Sequence, residues 1–311
     1  MAEPEESSFV PHQSSTMPQQ IPINDNIPVY FVPDDEVIEN IDADDITNPY
    51  TCSIYSADVY AYLKQLEIST RPTPNYLQKQ PQLNARTRAY CVDWLADLHR
   101  TLSRTYQASL QADTLFTSIS LFDRFLSVRQ IPQDKPYLAA ISCFLIATKF
   151  EETYYPSVNQ LLRFAPKVGT KEDILKMERF ILSDLGYAVG SPTPLTFLKR
   201  YAKASHADPT LGMLSRFMSE YSQMNYSLAT NYLPSQIASS AIAHSRIISG
   251  QTPWTATLQY YTGYTYQDLA DCMREMKVAI QKAPMLKTQT IYRKYASSKY
   301  LNAAVTASTH I

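Results

Sequence analysis

Apolar residues recur three or four positions apart along almost the whole chain from Ser56 onward. This spacing places them on one face of an α-helix, so the pattern predicts a chain of amphipathic helices. The apolar faces of the first three predicted helices are formed by Val59, Leu63 and Leu66, by Ala89, Val92, Leu95, Leu98 and Leu102, and by Leu115, Ile119, Phe122 and Leu126. We therefore expect an all-α fold.

Two later segments are apolar or small on nearly every side, from Leu138 to Phe150 and from Pro234 to Ile248. A helix of this kind is buried, because it has no polar face to turn toward water. The glycine- and proline-rich stretch from Gly186 to Pro194 lies between them and is typical of a linker. The sequence thus predicts two tandem domains, each with several helices around one buried central helix.

The first 50 residues do not share this pattern. They contain eleven acidic residues, seven prolines and no lysine or arginine. Such a composition cannot bury enough apolar surface to offset the entropy cost of ordering the chain. We expect a disordered acidic tail over residues 1–52, a first domain with a preceding helix over 53–189, a second domain over 190–300 and a C-terminal tail over 301–311.

The composition argues against catalysis, cofactors and metals. The six glycines form no phosphate-binding loop, the five histidines are isolated from one another, and the four cysteines have no paired metal-ligand spacing. No apolar run reaches the roughly 18 residues that a membrane span needs. We expect a soluble intracellular protein, in the nucleus and cytoplasm, that binds partners and has no cofactor, metal or enzymatic activity.

The end of the first central helix raises a question. The helix dipole favours Lys149 in the last turn, but it disfavours Glu151 and Glu152 there by roughly 0.3–1 kcal/mol each. On a later predicted helix, Glu178 shares a face with two leucines, where a fully solvated carboxylate is unexpected. An acid in apolar surroundings indicates either an internal ion pair or a surface that binds a partner.

Nine stretches of the chain resemble segments of B-type (mitotic) cyclins, in the order in which that family has them. They read DVYAYLKQLE, PNYLQKQPQLN, TRAYCVDWLADL, RFLSVRQIPQDKPYLAAISCFLIATKFEETYYP, EDILKMERFILSDLGY, PTPLTFLKRYAK, YLPSQIASSAIA, WTATLQYYTGYTYQDL and RKYASSKY. The resemblance covers roughly residues 53–300. It implies that the two predicted domains are tandem cyclin-box domains.

The resemblance also implies a kinase-binding surface. In cyclins, a lysine and an aromatic residue that end the third box helix, together with a glutamate on the fifth, contact a cyclin-dependent protein kinase. These positions match Lys149, Phe150 and Glu178, and Leu182 extends the same surface. Glu151 would lie at its rim. The competing interpretation is a mutual ion pair of Lys149 with Glu178, which at a surface contributes only ~0–1 kcal/mol.

Two further implications concern other acidic residues. Arg88 and Asp123 match a pair that in cyclins ties the first box helix to the second, so we expect a structural ion pair there. Its loss would leave a buried charge without a partner, at a cost of several kcal/mol. Glu152 has no role in the family pattern, and we expect it to be solvated.

The chain departs from the family at the surface that docks kinase substrates. Where the family has Met-Arg-Ala-Ile-Leu, this chain has Thr-Arg-Ala-Tyr-Cys, and the candidate docking patch consists of Thr87, Tyr90, Cys91, Trp94, Asp97 and Tyr137. Fewer branched apolar side chains and two added hydroxyl groups predict weak docking of Arg-x-Leu peptides. The segment after the first box helix is also unusually long, which predicts that this helix extends outward.

The resulting interpretation is a regulatory subunit that binds and activates a cyclin-dependent protein kinase in cell-cycle control at G2/M. An alternative is a nucleic-acid-bridging transcription factor of the same fold, because residues 51–311 carry 18 acidic and 28 basic side chains, a net charge of +10. Dispersed lysines and arginines make nucleic acid the weaker candidate. A scaffold that binds a kinase without activating it is a third interpretation.

Overall fold

Two buried helices organise the fold. The computed structural model describes residue 27 and residues 29–48, 50–105 and 110–311, and within these it contains α-helices and short 3₁₀ turns but no strand. The α-helices are α1 Ser56–Thr70, α2 Ala85–Thr105, α3 Ala112–Val128, α4 Pro136–Glu151, α5 Val158–Phe164, α6 Lys171–Asp184, α7 Pro194–Ala204, α8 Pro209–Ser222, α9 Tyr226–Asn231, α10 Pro234–Ile248, α11 Ala256–Thr262, α12 Ala270–Lys282, α13 Thr290–Tyr295 and α14 Ala303–His310.

The first domain is built from α2 to α6 around α4. Almost every residue of α4 from Pro136 to Thr148 is buried, and the helix packs against α2, α3 and α6. The small side chains of Ala139, Ala140 and Ala147 are fully buried and let neighbouring helices approach closely. The prediction of a buried central helix is confirmed here.

The second domain repeats this arrangement with α7 to α14 around α10. Ser235 and all residues from Ile237 to Arg246 are buried, and α10 packs against α7, α8, α12 and α14. His244 is in the core, and its Nε2 lies 2.8 Å from the Met273 carbonyl oxygen. The all-α prediction of two domains, each around a central helix, is therefore confirmed.

Side-chain contacts fix the linker and join the domains. Arg124 donates hydrogen bonds to the carbonyl oxygens of Ala188 (2.5 Å) and Val189 (3.2 Å), which anchors the linker to α3. The Asp93 carboxylate on α2 accepts a hydrogen bond of 2.8 Å from the backbone amide of Thr290, at the start of α13. The two domains therefore share contacts beyond the linker itself.

Helix α1 lies against the second domain, although the sequence grouped it with the first. Tyr60 and Leu63 pack against the core of the second domain. Glu67 is 1% exposed and accepts hydrogen bonds from the backbone amide (2.9 Å) and the hydroxyl (2.7 Å) of Ser235, at the start of α10. A carboxylate at a helix N-terminus is stabilised by the helix dipole, which explains this pairing.

The predicted C-terminal tail is wrong, because residues 303–310 form α14. Its residues Ala303, Ala304 and Ala307 are buried, and the helix packs against α8, α12 and α13. Three alanines on one face bury little area each, but they permit close packing of helices. A segment with weak amphipathic character is therefore part of the core of the second domain.

Part of the predicted acidic tail also differs from expectation. Residues 29–48, which we call the N-terminal strap, lie on the second domain with Ile41 buried. Asp42 forms an ion pair of 2.7 Å with Arg200, and Glu39 pairs with His206 at 2.7 Å. Arg200 on α7 and His206 just after it give the strap partners that its own sequence does not reveal. Residues 1–26 lie outside the described residues.

The predicted extension of the first box helix is present, since α2 continues to Thr105. Residues 106–109, which follow it, lie outside the described residues. None of the helices in the described ranges is long and apolar enough to cross a membrane.

Candidate protein-binding surface

The ends of α4 and α6 meet at an ion pair. Lys149 Nζ lies 2.6 Å from Glu178 Oε1, and the two side chains are 38% and 10% exposed. Helix α6 begins in a reciprocal capping box of Thr170 and Asp173. This box fixes where the helix starts and therefore the position of Glu178 along it. The structure thus contains the internal ion pair that was one of the two interpretations of these residues. This pairing does not test the other interpretation, a contact with a kinase.

The ion pair leaves hydrogen-bonding capacity unused. The second carboxylate oxygen of Glu178 and two protons of the Lys149 ammonium have no protein partner within the described residues. A partly exposed pair of this kind contributes little to folding, because solvent screens it and holding two long side chains costs entropy. A partner that approaches this surface would therefore find both a fixed acid and a fixed base.

Apolar residues flank the pair. Phe150 is 56% exposed, and a β-carbon added at Gly190 would lie 3.4 Å from the end of its ring, so the ring lies over the linker. Leu182 is one helical turn beyond Glu178 and is half-buried against the core. Its carbonyl oxygen accepts a hydrogen bond of 2.8 Å from Tyr187, which closes the end of α6. The surface is rigid on both sides of the ion pair.

Glu151 and Glu152 bind α3, which answers the question raised by the end of α4. The hydroxyl of Thr117 donates a hydrogen bond of 2.6 Å to Glu151. Glu152 accepts hydrogen bonds from the backbone amide of Gln111 (2.7 Å) and from the hydroxyl of Thr114. The prediction that Glu152 is solvated is wrong, because its carboxylate satisfies donors at the N-terminus of α3, where negative charge is favourable.

The sequence analysis did not identify several exposed aromatic residues that follow α4 and α6 in the sequence. Tyr154 and Tyr155 follow the end of α4 and are 81% and 52% exposed, and Tyr187 follows the end of α6. The only signal in the sequence was the run of aromatic residues after the central helix. Exposed aromatic side chains are enriched at protein interfaces because they bury a large area at low entropy cost.

Arg88 and Asp123 form a doubly hydrogen-bonded ion pair inside the protein. Arg88 donates from Nε to Oδ1 (2.7 Å) and from Nη2 to Oδ2 (2.6 Å), and both side chains are almost fully buried. Burial alone would lower the pKa of Arg88, but the Asp123 carboxylate more than offsets this and raises it. Arg88 also donates to the Gln223 carbonyl oxygen at 2.8 Å. The pair therefore joins α2 and α3 to the second domain.

The chain matches two known protein families over most of its length. Residues 58–190 match the family "Cyclin, N-terminal domain" and residues 192–309 match "Cyclin, C-terminal domain". The chain is 33% identical to "G2/mitotic-specific cyclin-B" of Spisula solidissima over 293 residues, which cover 94% of this chain and 67% of that protein. The chain belongs to the cyclin family.

Other relatives of this cyclin have similar names. It is 37% identical to "G2/mitotic-specific cyclin S13-6" of Glycine max, with 84% of this chain and 56% of that protein covered. It is 35% identical to "G2/mitotic-specific cyclin-B2" of Gallus gallus, with 85% and 65% covered. The resemblance to B-type cyclins is confirmed, although the chain spans less than two thirds of the length of these two relatives.

Solved structures show the same fold. A viral cyclin from herpesvirus saimiri aligns with a TM-score of 0.64 at 17% identity, over 75% of this chain and 99% of that one. A chain of the yeast RNA Pol II CTD kinase CTDK-1 complex aligns with a TM-score of 0.53 at 10% identity, over 74% and 84%. At these identities the likeness concerns the fold alone.

The candidate docking patch of this cyclin is largely aromatic. The rings of Trp94 and Tyr137 meet edge to face with centroids 5.3 Å apart, and Tyr90 is partly exposed on the same helix as Trp94. Cys91 is fully buried, so its assignment to the patch is wrong. It lies on the inner face of α2, one position before the buried Val92, and burial raises the pKa of its thiol to about 12.

The polar members of the patch are engaged locally. Thr87 donates hydrogen bonds from its amide (2.9 Å) and its hydroxyl (3.2 Å) to the Asn84 side chain, which starts α2. Asp97 forms an ion pair of 2.6 Å with Arg100. Among the residues described, no group of His, Cys, Asp and Glu side chains could hold a metal ion.

Proposed function

We propose that this cyclin is the regulatory subunit of a cyclin-dependent protein kinase and that it activates the kinase in G2/M control. The observation that carries the proposal is the Lys149–Glu178 pair, fixed between two rigid helices beside the exposed ring of Phe150. These residues match the positions that contact the kinase in the family. The names of the relatives, which describe G2/mitotic-specific cyclins, support the cell-cycle assignment.

The proposed mechanism is a shift of the kinase toward its active conformation. A protein kinase needs an ion pair between a lysine of its small lobe and a glutamate of its mobile C helix to bind ATP productively. A rigid surface that binds the C helix in its active position stabilises that pair, because the cyclin binds the active arrangement better than the inactive one. In this mechanism the cyclin does no chemistry itself, and it acts in the nucleus and the cytoplasm.

The test is purification of the intact protein from its own cells, followed by mass spectrometry of its partners and a kinase assay on a histone substrate. We expect a cyclin-dependent kinase as a stoichiometric partner and activity in the eluate. A kinase without activity would indicate a scaffold instead. Salt-sensitive DNA binding without any kinase would favour the nucleic-acid-bridging alternative.

A further inference from the structure

A cavity of about 480 Å³ lies between the two domains, on elements other than those of the proposed kinase surface. Its walls come from the C-terminal half of α2 and the start of α3 in the first domain, and from α8, α13 and the residues after α13 in the second. Volumes of 300–1,000 Å³ are typical of sites that bind small molecules. Any ligand in this cavity would contact both domains at once.

The lining of the cavity is strongly basic. Six of the lining residues carry a permanent positive charge, and only one is acidic; the basic residues are Arg100, Arg104, Arg216, Arg293, Lys294 and Lys299. The acid, Glu220, is fully buried, and it accepts hydrogen bonds from Lys294 at 2.7 and 2.8 Å and from Tyr295 at 2.6 Å. Glu220 therefore neutralises Lys294, and no other acidic residue in the described ranges lines the cavity to neutralise the remaining basic residues.

Most of these bases have no internal counter-charge. Arg100 pairs with Asp97 outside the lining, at 2.6 Å. Arg104, Arg216, Arg293 and Lys299 form no ion pair within the described part of the chain. Four cations that converge on one cavity repel one another, and low-dielectric walls strengthen the resulting positive potential.

Two buried donors at the same place also lack an acceptor. The Nε atoms of Arg100 and Arg216 are shielded from solvent and make no hydrogen bond within the described residues. Leaving a buried donor without an acceptor is unfavourable, so such groups normally have a partner. Arginine is the side chain best suited to bind phosphate oxygens, because its planar head donates two parallel hydrogen bonds.

We propose that this interdomain cavity binds a compact small molecule that carries several phosphates, of the inositol polyphosphate class. Four uncompensated cations around one partly open cavity match a ligand with several anionic groups better than one with a single phosphate. The ligand contacts α2 from one domain and α13 from the other, so it holds the two domains together. Because it binds only the folded arrangement, it raises the stability of the protein by mass action.

The test uses inositol hexakisphosphate and the full chain in calorimetric titrations and thermal unfolding. We expect saturable binding with one site and a higher Tm in the presence of the ligand. The variant Arg104→Gln with Arg293→Gln removes two cations that are exposed at the cavity. We expect its affinity to fall at least about tenfold, since each lost charge-assisted hydrogen bond to phosphate weakens binding substantially.

The matched control is Lys282→Gln with Lys287→Gln, which removes the same charge from exposed positions that do not line the cavity. We expect this control to bind within about twofold of the unmodified chain, since solvent screens distant exposed charges. Equal weakening in both variants would show non-specific attraction and overturn the proposal. Absence of binding up to millimolar ligand, or tight binding of a singly phosphorylated peptide but not of inositol hexakisphosphate, would overturn it as well.

Discussion

At the scale of single residues, burial sets the behaviour of several titratable groups. His244 is in the core of the second domain, where its pKa is lowered to about 4, mainly because burial disfavours the charged ring and to a lesser extent because Lys277 is nearby. The neutral ring donates one hydrogen bond from Nε2 to the Met273 carbonyl oxygen, so its proton is on Nε2. Its partner on α12 is 29 residues away in the chain, so this contact could not be predicted from the spacing of residues.

His244 makes the stability of this cyclin depend on pH. In the unfolded chain the histidine takes up a proton as the pH falls through about 6.5, whereas in the folded protein it stays neutral until about pH 4. The free energy of unfolding is therefore unaffected by this histidine above about pH 6.5. It falls by about 3 kcal/mol in total as the pH drops from about 6.5 to 4. In urea unfolding experiments, the free energy of unfolding should fall less between pH 7 and pH 4 for His244→Gln than for the unmodified protein. Parallel curves for the two proteins would contradict this.

Arg88 and Asp123 show how much a buried pair differs from an exposed one. Asp123→Ala leaves the Arg88 guanidinium buried without its carboxylate, so we expect the free energy of unfolding to fall by about 3–5 kcal/mol. The control is Asp184→Ala, whose partner Arg129 is 44% exposed, and there we expect a loss of at most about 1 kcal/mol. Equal losses in urea unfolding of the two variants would argue against a structural role of the buried pair.

At the scale of helices, the periodicity of apolar residues predicted the main elements well. The predicted helix from Pro234 to Ile248 has those bounds in the structure, and the central helix predicted from Leu138 lies within α4. The pattern could not predict which tertiary contacts the residues at the end of a helix make. Glu152 binds the start of α3, about 40 residues earlier in the chain, and only tertiary packing brings these groups together.

The contacts of Glu152 predict a specific role in holding α4 to α3. Glu152→Ala removes the acceptor of the Gln111 amide and of the Thr114 hydroxyl, so we expect a loss of about 1 kcal/mol, similar to the loss of a helix cap. Glu151→Ala removes the acceptor of one side-chain hydroxyl, and its loss should be smaller. The free energy of unfolding of both variants measures this, and the reverse order would refute it.

At the scale of the whole molecule, the two-domain architecture could be predicted because each domain has its own apolar helix. The positions of α1, α14 and the N-terminal strap could not. Alanines in α14 and charges in the strap give weak local signals, and their partners lie in the second domain. For the candidate site, the resemblance to cyclins identified Lys149, Phe150 and Glu178, but it could not show that Lys149 and Glu178 pair with each other.

We propose that a cyclin-dependent kinase binds the surface around Lys149 and Glu178. The most direct test is the Kd of the co-purified kinase for the unmodified cyclin, for Lys149→Ala with Glu178→Ala, and for the charge exchange Lys149→Glu with Glu178→Lys. The exchange retains an internal ion pair but reverses the charges that a partner meets. Both variants should fold normally, because a partly exposed pair contributes only ~0–1 kcal/mol.

We predict that both variants bind the kinase at least about tenfold more weakly than the unmodified cyclin, since lost or reversed charges at an interface cost a few kcal/mol. Thermal unfolding of each variant alone serves as the control for folding. Unchanged Kd values in two correctly folded variants would contradict the assignment of this surface to the kinase.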